Sequence, residues 1–398
     1  MLKEIFDSLE SRYDEMVSIR RYLHQNPELS FKEVNTAKYI KSFYDELGIE
    51  VRGNVGGNGV VAKVYGGKPG KTVALRADFD ALPIQDEKDV PYRSLVPGVM
   101  HACGHDGHTA TLLILAKTIH ENRNELAGTF VFIHQHAEEY APGGAASMIE
   151  AGCLDGVDAI FGTHLWALEP LGKIQYRTGP IMAAADRFEI NIQGKGGHGA
   201  QPHNTKDAIV TASQLVINLQ QIVSRRVNPV DSAVVTVGSF TAENAFNVIA
   251  DKAKLIGTVR TFNEDTRTFI EEEIERVTYG TCYSTESTYK YDFVRGYPAV
   301  VNPSAETEFL ISCAKNVPEV NIIEETEPHM GGEDFAYYLQ KVPGNFFFTG
   351  ASPANEEAVF PHHHPRFDID ERAMLIAAKT LGTAAIQYSL KAQEAVQV

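Results

Sequence analysis

The nine residues Met100-His-Ala-Cys-Gly-His-Asp-Gly-His108 hold three histidines, one cysteine and one aspartate, separated by small residues. Glycine and alanine let the backbone turn tightly, so Cys103 and His105, two apart, can face one ion, with His101 and His108 flanking them. Two side chains rarely hold a transition metal, so further ligands must arrive from elsewhere. Glu138-Glu139 closes a β-rich apolar run, and neighbours in extended backbone point to opposite sides. One of the two can then bind the ion while the other reaches a water. His164 ends another apolar run, and His362-His-His364 precedes Pro365 in a loop after Phe346-Phe-Phe348. Cys103, His105, Glu139, His164 and one residue of the triplet make five ligands, which suits two divalent ions. Mixed sulfur, nitrogen and oxygen donors fit zinc, manganese, cobalt or nickel, and exclude a pure magnesium or calcium site.

These residues need a scaffold that brings them together. The opening segment reads as two helices, Leu2 to Gln25 and Phe31 to Leu47, broken at Asn26-Pro27, with a Ser30-x-x-Glu33 capping box starting the second. Short β-rich runs at 59–64, 72–77, 129–134 and 159–164 then alternate with helical runs at 109–122 and 144–151. That alternation indicates an α/β sheet. Asp78, Asp80, Glu138, Glu139 and His164 fall just beyond the carboxyl ends of the strands, the edge where open α/β sheets bind ligands.

From about residue 184 the texture changes. Arg187 to Gln193 alternates polar and apolar, as in a sheet with one wet face, and the order βαββαβ up to Val294 is the ferredoxin-like pattern. The α/β texture resumes after Gly296-Tyr-Pro298, with helices at 305–316, 334–340 and 371–388 and strands at 321–325 and 345–349. The expected organisation is a discontinuous α/β catalytic domain, 1–184 and 297–398, with a mixed sheet flanked by helices in a phosphorylase/hydrolase-like arrangement. An inserted α+β domain spans 185–296. Gly194-Lys-Gly-Gly-His-Gly199 matches G-x-G-x-x-G, but its strand alternates and no acid follows about twenty residues on, so a dinucleotide site is not expected. Its glycines instead let His198 protrude.

At 398 residues the chain exceeds one ordinary core, and 43% hydrophobic with 22% charged residues is a globular composition. A balance of 36 basic against 52 acidic residues gives a formal charge of -16, which speaks against nucleic acid and anionic membranes as partners. The N-terminal run lacks a signal peptide's apolar core, and no apolar stretch is long enough to span a membrane. Four cysteines make no disulfide framework, so a cytoplasmic setting is expected.

With these residues in place, the chain resembles the aminoacylase and carboxypeptidase-G-like family of co-catalytic metallopeptidases. It is most similar to the branch of hippurate hydrolases, auxin-conjugate hydrolases and N-acyl-L-amino-acid amidohydrolases. The resemblance runs nearly end to end. It rests on Arg21-x-Leu-His24-x-x-Pro27-Glu28, Arg76-Ala-Asp-Phe-Asp-Ala-Leu-Pro83, the 100–108 motif, Ala137-Glu-Glu139, Gly197-His-Gly-Ala-Gln-Pro-His203, Gly331-Gly-Glu-Asp-Phe335 and His363-x-Pro365. It implies that Cys103, His105, Glu139, His164 and His363 ligate two metal ions, that Glu138 is the general base and that Asp80 orients a ligand from behind. It further implies that the insert is a lid and homodimerisation domain, with His198 polarising the scissile carbonyl and Asn247 and Arg260 holding substrate. The chain departs from the branch at His136, where proline is usual. The activity implied is hydrolysis of small N-acyl amino acids; the alternative is a dipeptidase or aminopeptidase with the same centre.

Overall fold

The computed structural model describes residues 1–391; residues 392–398, the end of the stretch assigned to the catalytic domain, lie outside the described residues. The chain divides into two compact units. One comprises Met1–Ile181, Val301–Glu327 and Asp334–Val398; the other comprises Met182–Val300 with the short piece Pro328–Glu333.

The first unit is built on an eight-stranded mixed sheet. In spatial order its strands are Glu50–Val55, Gly59–Tyr65, Ala127–Gln135, Lys68–Asp78, Ala159–Trp166, Gly344–Gly350, Lys173–Tyr176 and Ile322–Glu325. The middle four, Ala127–Gln135 to Gly344–Gly350, run parallel and are buried along most of their length, which is why they read as near-continuous apolar runs. Parallel strands finish on the same side, so Asp78, Gln135 and Trp166 close neighbouring strands at one edge. Helices His105–Glu121 and Arg372–Ser389 pack in this core, and nearly all of their residues are buried. Among the described residues no helix is long and apolar enough to cross a membrane.

Three expectations for this unit are corrected. The first helix is two, Leu2–Ser11 and Tyr13–Gln25, hinged at Arg12. The helix after the histidine-rich motif begins at His105 instead of Thr109, so His105 and His108 lie on its first turn. The Ser30-x-x-Glu33 box caps nothing: the helix is Val34–Glu46, and Glu28 takes the capping part by accepting Thr36 N at 2.8 Å.

The second unit carries a four-stranded antiparallel sheet in the order Ala233–Thr241, Lys252–Thr261, Ala184–Gln193, Thr288–Tyr297. With helices Ala208–Gln221 and Glu264–Ser284 this is the ferredoxin-like βαββαβ arrangement. Both helices start on side-chain caps, Asp207 accepting Ile209 N and Val210 N, and Asn263 accepting Asp265 N and Thr266 N. Phe188, Ile190 and Ile192 line its core with Leu215, Leu219, Ile270 and Ile274.

Candidate metal centre

Strand Lys68–Asp78 leads directly into the site. Leu82 and Met100 exchange backbone hydrogen bonds of 3.0 Å, which pins the base of the intervening loop and presents the 100–108 motif beside Asp78 and Asp80. Gly104 then takes φ 94°, a left-handed conformation suited to glycine, and turns the chain into the helix that carries His105.

Cys103, His105 and His164 offer ligand atoms lying within 4.8 Å of one another, as do Cys103, Glu139 and His363, and as do His105, Glu138 and Glu139. The Cys103 Sγ to His164 Nε2 distance is 3.3 Å, and Glu139 Oε1 lies 3.2 Å from His363 Nε2 and 3.8 Å from His105 Nε2. All six residues therefore meet in one cluster. The triplet sorts itself by packing. His362 donates to Leu165 O and lies against Trp166, while His364 stacks on Phe360. His363, at φ 65°, is the member aimed at Glu139. Such a left-handed backbone in a residue with a side chain is strained by roughly 1–3 kcal/mol and clusters at functional sites.

Asp80 stands behind the cluster. His105 Nδ1 lies 3.2 Å from its Oδ1, and its Oδ2 accepts Ser30 Oγ at 2.7 Å and Glu139 N at 3.0 Å. Burial opposes charge on Asp80, yet the His105 contact, the Glu139 amide and Ser30 hold its carboxyl below the ordinary range. His108 and His101 take other parts. His108 has both ring nitrogens engaged, Nδ1 on Asp78 at 2.6 Å and Nε2 accepting Leu165 N at 2.9 Å, so it braces the strand that presents His164. His101 is buried beside His24 and belongs to none of the three groups around Cys103.

The donor set fits a cation. His105 Nε2 and Glu139 Oε1 are buried without a hydrogen-bond partner among the described residues, which is costly unless something else binds there. Burial disfavours an imidazolium at His105, but the carboxylates of Asp78, Asp80 and Glu139 outweigh it and push the group up to about 10. Burial pushes the Cys103 thiol well above its ordinary value, with Glu139, Glu138 and Asp78 adding to it. A site that grips protons this firmly is short of positive charge, and thiolate, imidazole and carboxylate are the donors of a transition-metal site.

Several supporting residues carried no readable signal of their role. Arg76, buried in an apolar strand, bonds Asp78 at 2.6 Å, Asp334 at 2.9 Å and Gln135 at 2.9 Å, so it ties two strand ends to the loop before helix Ala336–Leu339. Arg20, fully buried, holds Asp106 of the motif at 2.9 Å, Asp368 at 2.7 Å and Glu371 at 3.1 Å. Arg76 heads one of the motifs that carry the family resemblance and Arg20 directly precedes another, but neither motif discloses the partners these side chains hold.

In the second unit, His198 lies on the two-residue strand Gly197–His198, whose partner is Val248–Ile249, and Gly199 N donates to Asn247 O at 2.8 Å. The unit thus sets His198 and Asn247 side by side, both exposed. Arg260 lies apart on strand Lys252–Thr261, hydrogen-bonded to Thr258 Oγ1 and to Val259 O.

A family model described as peptidase family M20/M25/M40 matches residues 74–387. YhaA of Bacillus subtilis (strain 168) is 63% identical over 386 residues, 97% of this chain and 98% of YhaA. The N-acyl-L-amino acid amidohydrolase of Geobacillus stearothermophilus is 45% identical over 301 residues, 76% of this chain and 80% of its own length. Among solved structures, Bacillus subtilis YXEP, a dinuclear metal-binding peptidase of the M20 family, superposes with a TM-score of 0.83. It is 36% identical, covering 96% of this chain and 99% of YXEP.

Proposed function

We propose, for a chain that belongs to peptidase family M20/M25/M40 and is a metal-dependent hydrolase of N-acyl amino acids, that the cluster around Cys103 is its catalytic centre. Cys103, His105, Glu139, His164 and His363 would hold two divalent ions, with zinc, manganese, cobalt or nickel suited to the donors. When bound, such ions polarise the scissile carbonyl and lower the pKa of the attacking water. Glu138 takes the proton from that water and returns it to the leaving amide nitrogen, which releases a carboxylic acid and a free amino acid. The observation that carries this reading is the Glu138-Glu139 pair: both carboxylates lie by His105, and Glu139 also faces His363. That leaves Glu138 the proton chemistry. Asp80 fixes the ring of His105, as a carboxylate behind a histidine ligand does.

The second unit supplies substrate contacts in this reading, His198 polarising the carbonyl and Asn247 and Arg260 holding the substrate. It also supplies a homodimer contact, favoured by the open edge strand Ala233–Thr241 with Phe240 exposed. A cytoplasmic location is favoured by four free cysteines.

Two measurements test the assignment. A panel of hippurate and N-acetyl amino acids set beside unblocked dipeptides should show turnover of the acylated compounds only; preference for free dipeptides would move the protein to the peptidase alternative. Asp80→Asn should weaken metal binding by about 10–100-fold in a cobalt titration. Unchanged affinity would remove Asp80 from the support of His105.

A further inference from the structure

The turn 28–33 meets the centre from outside the ligand set. Its Ser30 holds Asp80, and its Glu33, with 0% of its surface exposed, points inward. Glu33 Oε1 accepts Ala137 N at 2.8 Å and Oε2 accepts Asn58 Nδ2 at 3.0 Å. Ala137 immediately precedes the Glu138-Glu139 pair and takes φ 53°, a left-handed conformation that a residue with a β-carbon adopts only when its surroundings impose it. On the other side of Glu138, between the two members of the pair, Glu139 N donates to Asp80 Oδ2. Two buried carboxylates therefore clamp the backbone amides that bracket Glu138. The space around the turn is also filled: a β-carbon at Gly57 would come within 2.6 Å of the His136 ring, and one at Gly144 within 2.0 Å of His136 O. Without Glu33, a buried Ala137 N–H would lack an acceptor, and the turn would have to open to find one.

We propose that Glu33 is a positioning residue for the hydrolysis, holding the left-handed turn at Ala137 so that Glu138 faces the attacking water while Glu139 stays with the ligands. Burial pushes Glu33 up to about 7 against the opposing pull of Asn58, so the carboxylate is kept in place by its contacts at a cost in solvation. A residue serving only the helix after it would bond that helix, and here Glu28 does so.

The inference rests on Glu138 as the base, and the test separates the two. Full-length, metal-loaded Glu33→Ala and Glu33→Gln are compared with wild type by kinetics on an N-acetyl amino acid, by metal content, and by hydrogen exchange of the peptide containing Ala137. Glu33→Ala is expected to lose about 10²-fold in kcat with KM nearly unchanged and full metal content, while its Ala137 segment exchanges faster. Glu33→Gln keeps an acceptor oxygen for Ala137 N and is expected to restore both kcat and protection. Wild-type kcat in Glu33→Ala, or a folded Glu33→Gln as slow as Glu33→Ala, overturns the proposal. If Glu33→Ala does not fold, Glu33→Asp replaces it: its shorter arm withdraws the acceptor, so an Asp variant as fast as Gln overturns the proposal. A wild type that hydrolyses no acylated amino acid sinks the hydrolase reading alone, because exchange at Ala137 still decides what Glu33 holds.

Discussion

Glu138→Gln is expected to fold, to keep its metal and to lose about 10³- to 10⁴-fold in kcat, the upper range for removing a positioned proton carrier. At 1.36 kcal/mol per factor of ten this is about 4–5 kcal/mol of transition-state stabilisation. The expectation follows from where the side chain stands. Glu138 is buried with a carboxylate oxygen within 4.8 Å of His105 and Glu139 ligand atoms, and glutamine has the same shape but cannot take a proton. KM should change little, because the substrate's acyl and carboxylate groups do not depend on this proton. Steady-state kinetics with elemental analysis on the same preparation decides it. Turnover near wild type at full metal content would dismiss Glu138 from the chemistry.

Stripping the metal should be equally severe. Exhaustive chelation is expected to lower kcat by at least about 10³-fold, because the ions contribute several kcal/mol of charge stabilisation. Manganese, zinc, cobalt or nickel should restore it, and calcium or magnesium should not, since a thiolate and three imidazoles are poor partners for hard ions. Thermal stability should fall too. A ligand present at a hundred times its dissociation constant contributes about 2.7 kcal/mol, and its loss corresponds to a melting temperature lower by roughly 5 °C. Part of that loss comes from Asp78, Asp80 and Glu139, whose charges crowd His105 with only a proton between them. Protein shown to be metal-free that still turns over at the wild-type rate would end the metal mechanism.

Much of this was legible in the order of residues, for definite reasons. Parallel strands buried on both faces leave long apolar runs, and the polar residues near their carboxyl ends stand out as Asp78, Asp80, Glu138, Glu139 and His164, although the strand carrying His164 runs two residues further, to Trp166. Cys103 and His105 announce themselves by composition. Side-chain direction was not legible. Which histidine of the triplet faces Glu139 depends on one left-handed residue, and nothing in His-His-His-Pro distinguishes His363 by itself. The resemblance to a family supplied that choice. Ser30-x-x-Glu33 failed for a related reason: the pattern suits a helix start, but Asp80 and Ala137 N, fifty and more residues away, compete for the same groups and win them. Burial of Glu33 beside Ala137 decides that competition, and local spacing does not record it. Arg76 and Arg20 were opaque because their partners Asp334, Asp368 and Glu371 are hundreds of residues distant.

The reach of Arg20 has a consequence for how the molecule is made. Its guanidinium joins the second helix to Asp106 and to Asp368 and Glu371, and His363 and strand Gly344–Gly350 come from the same late segment. While the polypeptide is still leaving the ribosome, residues 1–340 lack an inner strand of their sheet, one donor to the cation and two of the three acids that neutralise a buried arginine. The centre and its supporting ion pairs are therefore complete only once translation has passed Glu371.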